Sequence, residues 1–146
     1  MATFYSQEKT NARSGNKIDV TDWGGRVRAV TASIDWATIN AGTALASGDQ
    51  VELFDLPAGA RVLFGQVALT ALASFTTAIG IASSTGKYSV SKVTTGNATG
   101  DGFLPFAGEG ATFTPLTAAE TVLLTLGSGG SPATGRCRVT MYYVLD

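Results

Sequence analysis

Thr121-Val122-Leu123-Leu124-Thr125-Leu126 and, after a nine-residue gap, Arg136-Cys137-Arg138-Val139-Thr140-Met141-Tyr142-Tyr143-Val144-Leu145 decide the fold class. In the first run Val122, Leu124 and Leu126 fall on one face; in the second Cys137, Val139, Met141 and Tyr143 do. A period of two is the signature of strands with one buried side. The glycine-rich stretch between them, 127–135, reads as a flexible hairpin loop.

The same grammar extends back along the chain. A strand beginning at Arg26, with Val27, Ala29 and Thr31 alternating against Arg28, Val30 and Ala32, ends near Asp35, and Trp36 and Ile39 lead into a loop over 40–48. The next strand, 49–56, sets Val51 and Leu53 against Gln50 and Glu52, and Pro57-Ala58-Gly59 supplies a turn. Residues 60–72 are almost continuously apolar: Val62 and Phe64 share one face and Val67 and Leu69 the other, with a bulge expected at Gly65. Segments 76–82 and 87–94 form a hairpin across 83–86. Residues 95–102 read as a loop, Phe103-Leu104-Pro105-Phe106 as a segment that proline confines to a sheet edge or a contact patch, and Thr112-Phe113 as a further short strand.

With 146 residues, 45% of them hydrophobic, one core of useful size forms, and 18 glycines against only 14% charged residues disfavour helices with charged outer faces. The expectation is an all-β protein: a jelly-roll-like antiparallel β-sandwich of about eight strands over 26–146, preceded by an extended N-terminal arm over 1–25 containing one short strand at 17–21. A closed barrel is the architectural alternative.

The net charge of −1 offers no basic footprint for nucleic acid. The charge is uneven, however. Residues 1–28 carry Lys9, Arg13, Lys17, Arg26 and Arg28 against Glu8, Asp19 and Asp22, a net of +2, leaving −3 for the rest, which suits an arm that docks on an acidic protein surface. No apolar run approaches the ~20 residues that cross a bilayer, and the first residues lack the apolar stretch of a signal peptide, so no membrane partner and a cytoplasm-derived setting are expected.

Catalytic chemistry finds little footing. Histidine is absent, which removes the Ser–His triad and any His-containing zinc site, and the single Cys137 lies mid-strand, where Arg136 and Arg138 point to the opposite face; it reads as a buried structural thiol. The carboxylate pairs Glu52/Asp55 and Asp101/Glu109 read as solvated surface, with Asp55 capping the turn into Leu56-Pro57. Residues 127–135 lack the Lys-Ser/Thr ending of a phosphate loop, and the Asn97-Ala98-Thr99 acceptor pattern has no secretory context. No enzyme activity, metal or cofactor is expected.

The stretch Ser47-Gly48-Asp49-Gln50-Val51-Glu52-Leu53-Phe54-Asp55-Leu56-Pro57-Ala58-Gly59-Ala60-Arg61-Val62 resembles a strand, Leu-Pro-x-Gly-Ala turn, strand pattern of small structural proteins of tailed bacteriophages. The Ile79-Gly80-Ile81 strand, the strand opening at Glu120 and the closing strand to Val144 extend the similarity over about residues 47–145. The resemblance implies a jelly-roll cement (decoration) protein without catalytic residues. Such a virion structural protein is assembled in the host cytoplasm and binds the major capsid protein on the capsid exterior; separately, edge strands and a modest core favour self-association as a dimer or trimer. Phe4, Tyr5, Lys9, Arg13 and Trp23 of the N-terminal segment, with Phe103, Leu104 and Phe106, are the candidate partner contacts. The competing reading is a receptor- or carbohydrate-binding β-sandwich of a phage tail or fibre, with Trp23 or Phe106 stacking on sugar rings.

Overall fold

A long antiparallel ribbon, doubled back at Ala82-Ser83 and wound on itself, generates the architecture. The computed structural model describes residues 26–41, 43–69, 74–95, 102–106 and 114–145. Among these run β1 (Arg28–Asp35), a one-turn helix α1 (Trp36–Ile39), β2 (Gln50–Leu56), β3 (Ala60–Leu69), β4 (Ser74–Ile81), β5 (Ser84–Thr95), β6 (Gly102–Phe106), β7 (Glu120–Leu126) and β8 (Arg136–Leu145). The ribbon pairs are β1 with β8, β2 with β7, β3 with β6, and β4 with β5. Winding then adds β3 to β8 and β4 to β7, which closes two four-stranded antiparallel sheets ordered β1-β8-β3-β6 and β2-β7-β4-β5. That topology is the jelly roll.

The core lies between the sheets, where alternation from both inner faces meets. Ile34, Val62, Val67, Cys137, Val139 and Met141 face it from one sheet, and Leu56, Ile79, Tyr88, Val122, Leu124 and Leu126 from the other. Trp36 is 0% exposed. It enters the core because Asp35 caps α1 by accepting from the Thr38 amide, a turn that swings the indole back under the sheets.

Several local expectations are corrected. β7 and β8 are not a hairpin: they lie in opposite sheets, and 127–135 crosses between them. This crossing is pinned to the β1–β2 connection. The Ser131 amide donates to Leu45 O, the Leu45 amide to Ser131 Oγ, Ser131 Oγ to Asn40 Oδ1, and Asn40 Nδ2 to Pro132 O. The β3 bulge falls between Val62 and Phe64, not at Gly65, so Phe64 does not share the buried face of Val62. β2 has its own bulge between Glu52 and Phe54, and Asp55 accepts from Thr121 Oγ1 across the strand pair at 2.7 Å instead of capping the turn. β1 starts at Arg28, with Val27 outside it, and its inward residues are the even-numbered Val30, Ala32 and Ile34. The β4–β5 turn is Ala82-Ser83, tighter than expected, because Gly80 lets the backbone at Ser84 and Thr85 pass where a Cβ would sit. The expected strands at 17–21 and 112–113 lie outside the described residues.

Candidate partner-contact surface

The outer face of β1-β8-β3-β6 is built around β8. Register places Tyr142 between Ala29 and Phe64, Thr140 between Thr31 and Gln66, and Arg138 between Ser33 and Ala68. Phe64 is 46% exposed, and its ring stacks on Tyr142 with centroids 4.6 Å apart and planes 24° from parallel. Two strands side by side cannot hide Val62, Leu63 and Phe64 on one face; the extra residue in β3 turns Phe64 outward, which is how bulges re-aim side chains. Below this pair the Thr31 and Thr140 hydroxyls share a hydrogen bond at 3.0 Å, and at the far end Arg136 approaches Asp35 at 3.8 Å. Val27, 58% exposed, keeps the odd-numbered phase of Ala29 just before β1 and extends the apolar end of the face.

The opposite outer face has another chemistry. Gln50, Glu52, Asp55 and Thr121 are exposed there, and Gln50 donates to Thr125 Oγ1. The Glu52 and Asp55 carboxylates both open to solvent, and Asp55 is already engaged by Thr121.

An open groove of about 310 Å3 lies at the β4–β5 turn, lined by Ile81, Ala82, Ser83, Ala119, Glu120 and Thr121. Its one carboxylate is committed. Glu120 accepts from Tyr88 Oη at 2.6 Å and pairs with the Lys87 ammonium, which also sits over the Tyr88 ring. Burial, and then the neighbouring Glu120, push the Tyr88 phenol well above the usual tyrosine range, so it stays neutral and donating. Glu120 thus ties β5 to β7 across the intervening β4 as a structural clamp. Cys137 is buried, and burial raises its thiol from 9.0 to about 12, the opposite of an activated nucleophile. Among the described residues no three His, Cys, Asp or Glu side chains gather to hold a metal ion.

Of the contact residues expected from sequence, Phe103, Leu104 and Phe106 fall on β6, one of the two edge strands of their sheet among the described residues, a position that Pro105 tolerates. Register sets Phe103 opposite Ala68, Leu104 opposite Val67 and Phe106 opposite Gly65. Phe4, Tyr5, Lys9, Arg13 and Trp23 lie outside the described residues, as do Asp101 and Glu109. Sequence reasoning missed Phe64 and Tyr142. The unbroken apolar run Val62-Leu63-Phe64 carried the signal, since strict alternation forbids it without a bulge.

The fold has solved counterparts. A chain in the capsid asymmetric unit of cyanophage Pam1 superposes with a TM-score of 0.64 at 22% identity, covering 85% of this chain and 88% of that one. Phages carry this fold in their capsids. A chain in the capsid of Ralstonia phage GP4 gives 0.63 at 19% identity, over 92% and 94% of the two chains. One in the acid-stable capsid of Helicobacter pylori bacteriophage KHP30 gives 0.54 at 12%, over 82% and 87%. No protein-family model and no curated sequence matches the chain.

Proposed function

We propose that this chain is a bacteriophage virion structural protein that binds the major capsid protein on the outside of the shell and stabilises it as a cement (decoration) subunit. The observation that carries the reading is that fold matches to chains from three phage capsids run nearly end to end in both directions, so the likeness concerns the whole unit and not a shared fragment. The surface supports it. A net charge of −1 suits protein rather than nucleic-acid partners, and a small sandwich with four edge strands among the described residues has hydrogen-bonding rims to offer neighbours. Many weak contacts on a lattice add up through avidity, so no single deep pocket is needed. Self-association as a dimer or trimer would cover the exposed edges.

The test is co-sedimentation of the purified chain with empty phage capsids that lack it, beside a glycan-binding screen. Saturable binding at a fixed ratio to the major capsid protein is the expected result. A specific glycan hit without capsid binding would overturn the reading in favour of a tail or fibre module.

A further inference from the structure

We propose that β1 is the strand through which two copies of this chain associate, pairing antiparallel about a two-fold axis so that their β1-β8-β3-β6 sheets become one sheet of eight strands. This deepens the self-association proposed above, on which it rests, and is separate from attachment to a shell.

An edge strand with unpaired N–H and C=O groups invites a further strand unless something obstructs it. Among the described residues the edges are β1, β6, β2 and β5, and three of them carry obstructions. β6 holds Pro105, which has no N–H to give. β2 is bulged between Glu52 and Phe54 and bears exposed carboxylates at Glu52 and Asp55. β5 loses register with β4 twice, and both shifts place the extra residues in β5 itself. β1 has none of these devices. Its ladder with β8 runs one for one from Arg28 opposite Tyr143 to Asp35 opposite Arg136, and the stretch from Ala29 to Ile34 carries no charge.

The far side of β1 is open. Thr31 and Thr140 stand in one row of the outer face and share a hydrogen bond at 3.0 Å. Thr140, flanked by Thr31 and Gln66, is 6% exposed, whereas Thr31, with Thr140 on one side, is exposed. A strand beyond β1 would cover Thr31 as β1 and β3 cover Thr140. On the inner face Val30 and Ala32 are only partly buried, although Met141 and Val139 opposite them are 0% exposed.

A second copy fits because β1 is its own complement. A two-fold axis normal to the sheet sets outward residues against outward and inward against inward. Outward stand Ala29, Thr31 and Ser33, small enough for two backbones to come to ladder distance, and their hydroxyls extend the row that Thr140 and Thr31 begin. Inward, Val30 and Ala32 meet their counterparts and complete their burial. Arg28 and Asp35 occupy opposite ends of the strand, so antiparallel pairing brings each to the end of the other copy that bears the opposite charge.

Sedimentation velocity of the full-length chain over a dilution series tests this, and a dimer is expected for wild type. Thr31→Lys and Thr31→Glu each put like charges beside the axis at an exposed position and should raise the dissociation constant by about fivefold or more, with folding checked by circular dichroism. An equimolar mixture of the two variants should recover the dimer, because lysine then faces glutamate, an outcome that loss of folding cannot imitate. Gln50→Lys, on the obstructed β2 edge, should leave the dimer unchanged. A monomeric or trimeric wild type would overturn the proposal, as would a dimer that withstands both Thr31 variants, a mixture no more dimeric than its components, or a dimer lost in Gln50→Lys. A monomer whose binding to empty capsids is weakened by Thr31→Lys would overturn it too, and would assign the edge to a strand of the shell protein. Wild-type dimers that pass these tests but ignore capsids would support the β1 pairing and sink the cement reading alone.

Discussion

Cys137 shows how one residue reports on the whole core. It sits in the central β8, flanked by β1 and β3, and its side chain is fully covered. Its thiol ionises at about 12 when folded against 9.0 ordinarily, so the folded state resists losing that proton. Below pH 9 both states hold the proton and the stability contribution is complete; between pH 9 and 12 the unfolded thiol ionises while the folded one does not, and stability falls. The Tyr88 phenol is shifted in the same direction and adds to the alkaline loss above its ordinary value of 10.0. Urea unfolding at stepped pH should therefore give midpoints that decline from pH 9 upward, and the decline should be shallower in Cys137→Ala. Parallel curves for the two proteins would contradict the burial. At neutral pH the native thiol should ignore a disulfide reagent until denaturant is added.

At the scale of elements, the connections carry more order than their composition suggests. The crossing 127–135 is rich in glycine and serine, yet Ser131 links it to Asn40 and to both backbone groups of Leu45, Asn40 also donates to Pro132 O, and Thr76 donates its amide to Ser128 O. Ser131→Ala removes hydroxyl contacts at a partly buried site and should cost about 1–3 kcal/mol, with faster hydrogen exchange at the Leu45 amide as the local signature. Exchange at Leu45 unchanged from wild type would mean that the cluster is not what holds these loops. The strands themselves were legible: alternation in 121–126 and 136–145 located β7 and β8, and Pro105 correctly assigned an edge. Alternation cannot say which strand pairs with which, and two strands consecutive in sequence, β7 and β8, proved to lie in different sheets. Bulges escaped for a related reason. A bulge is set by the partner strand's register, so Val62-Leu63-Phe64 showed that the phase must shift without showing where. Phe64 and Tyr142 could not be named because they meet only when β3 and β8 pair, 78 positions apart in the chain.

The described residues form a sandwich whose two outer faces differ in chemistry. Among the described residues β1 pairs with β8 and forms one edge of its sheet. The buried core cluster lies, among the described residues, from Ile34 onward. Removing residues 1–16 leaves every described core residue in place, keeps Trp23 and its two glycines, and deletes Phe4, Tyr5, Lys9 and Arg13 together. In the cement reading these two cations and two aromatics are proposed contacts with the shell. The truncated protein should keep its thermal midpoint and circular dichroism spectrum but sediment with empty capsids less tightly, and its residual binding should depend less on salt, since two positive charges that long-range attraction could use are gone. Undiminished capsid binding by a folded truncation would remove the arm from the attachment mechanism and leave the edge strands and outer faces of the sandwich as the contact. Loss of folding instead would show that the segment belongs to the domain.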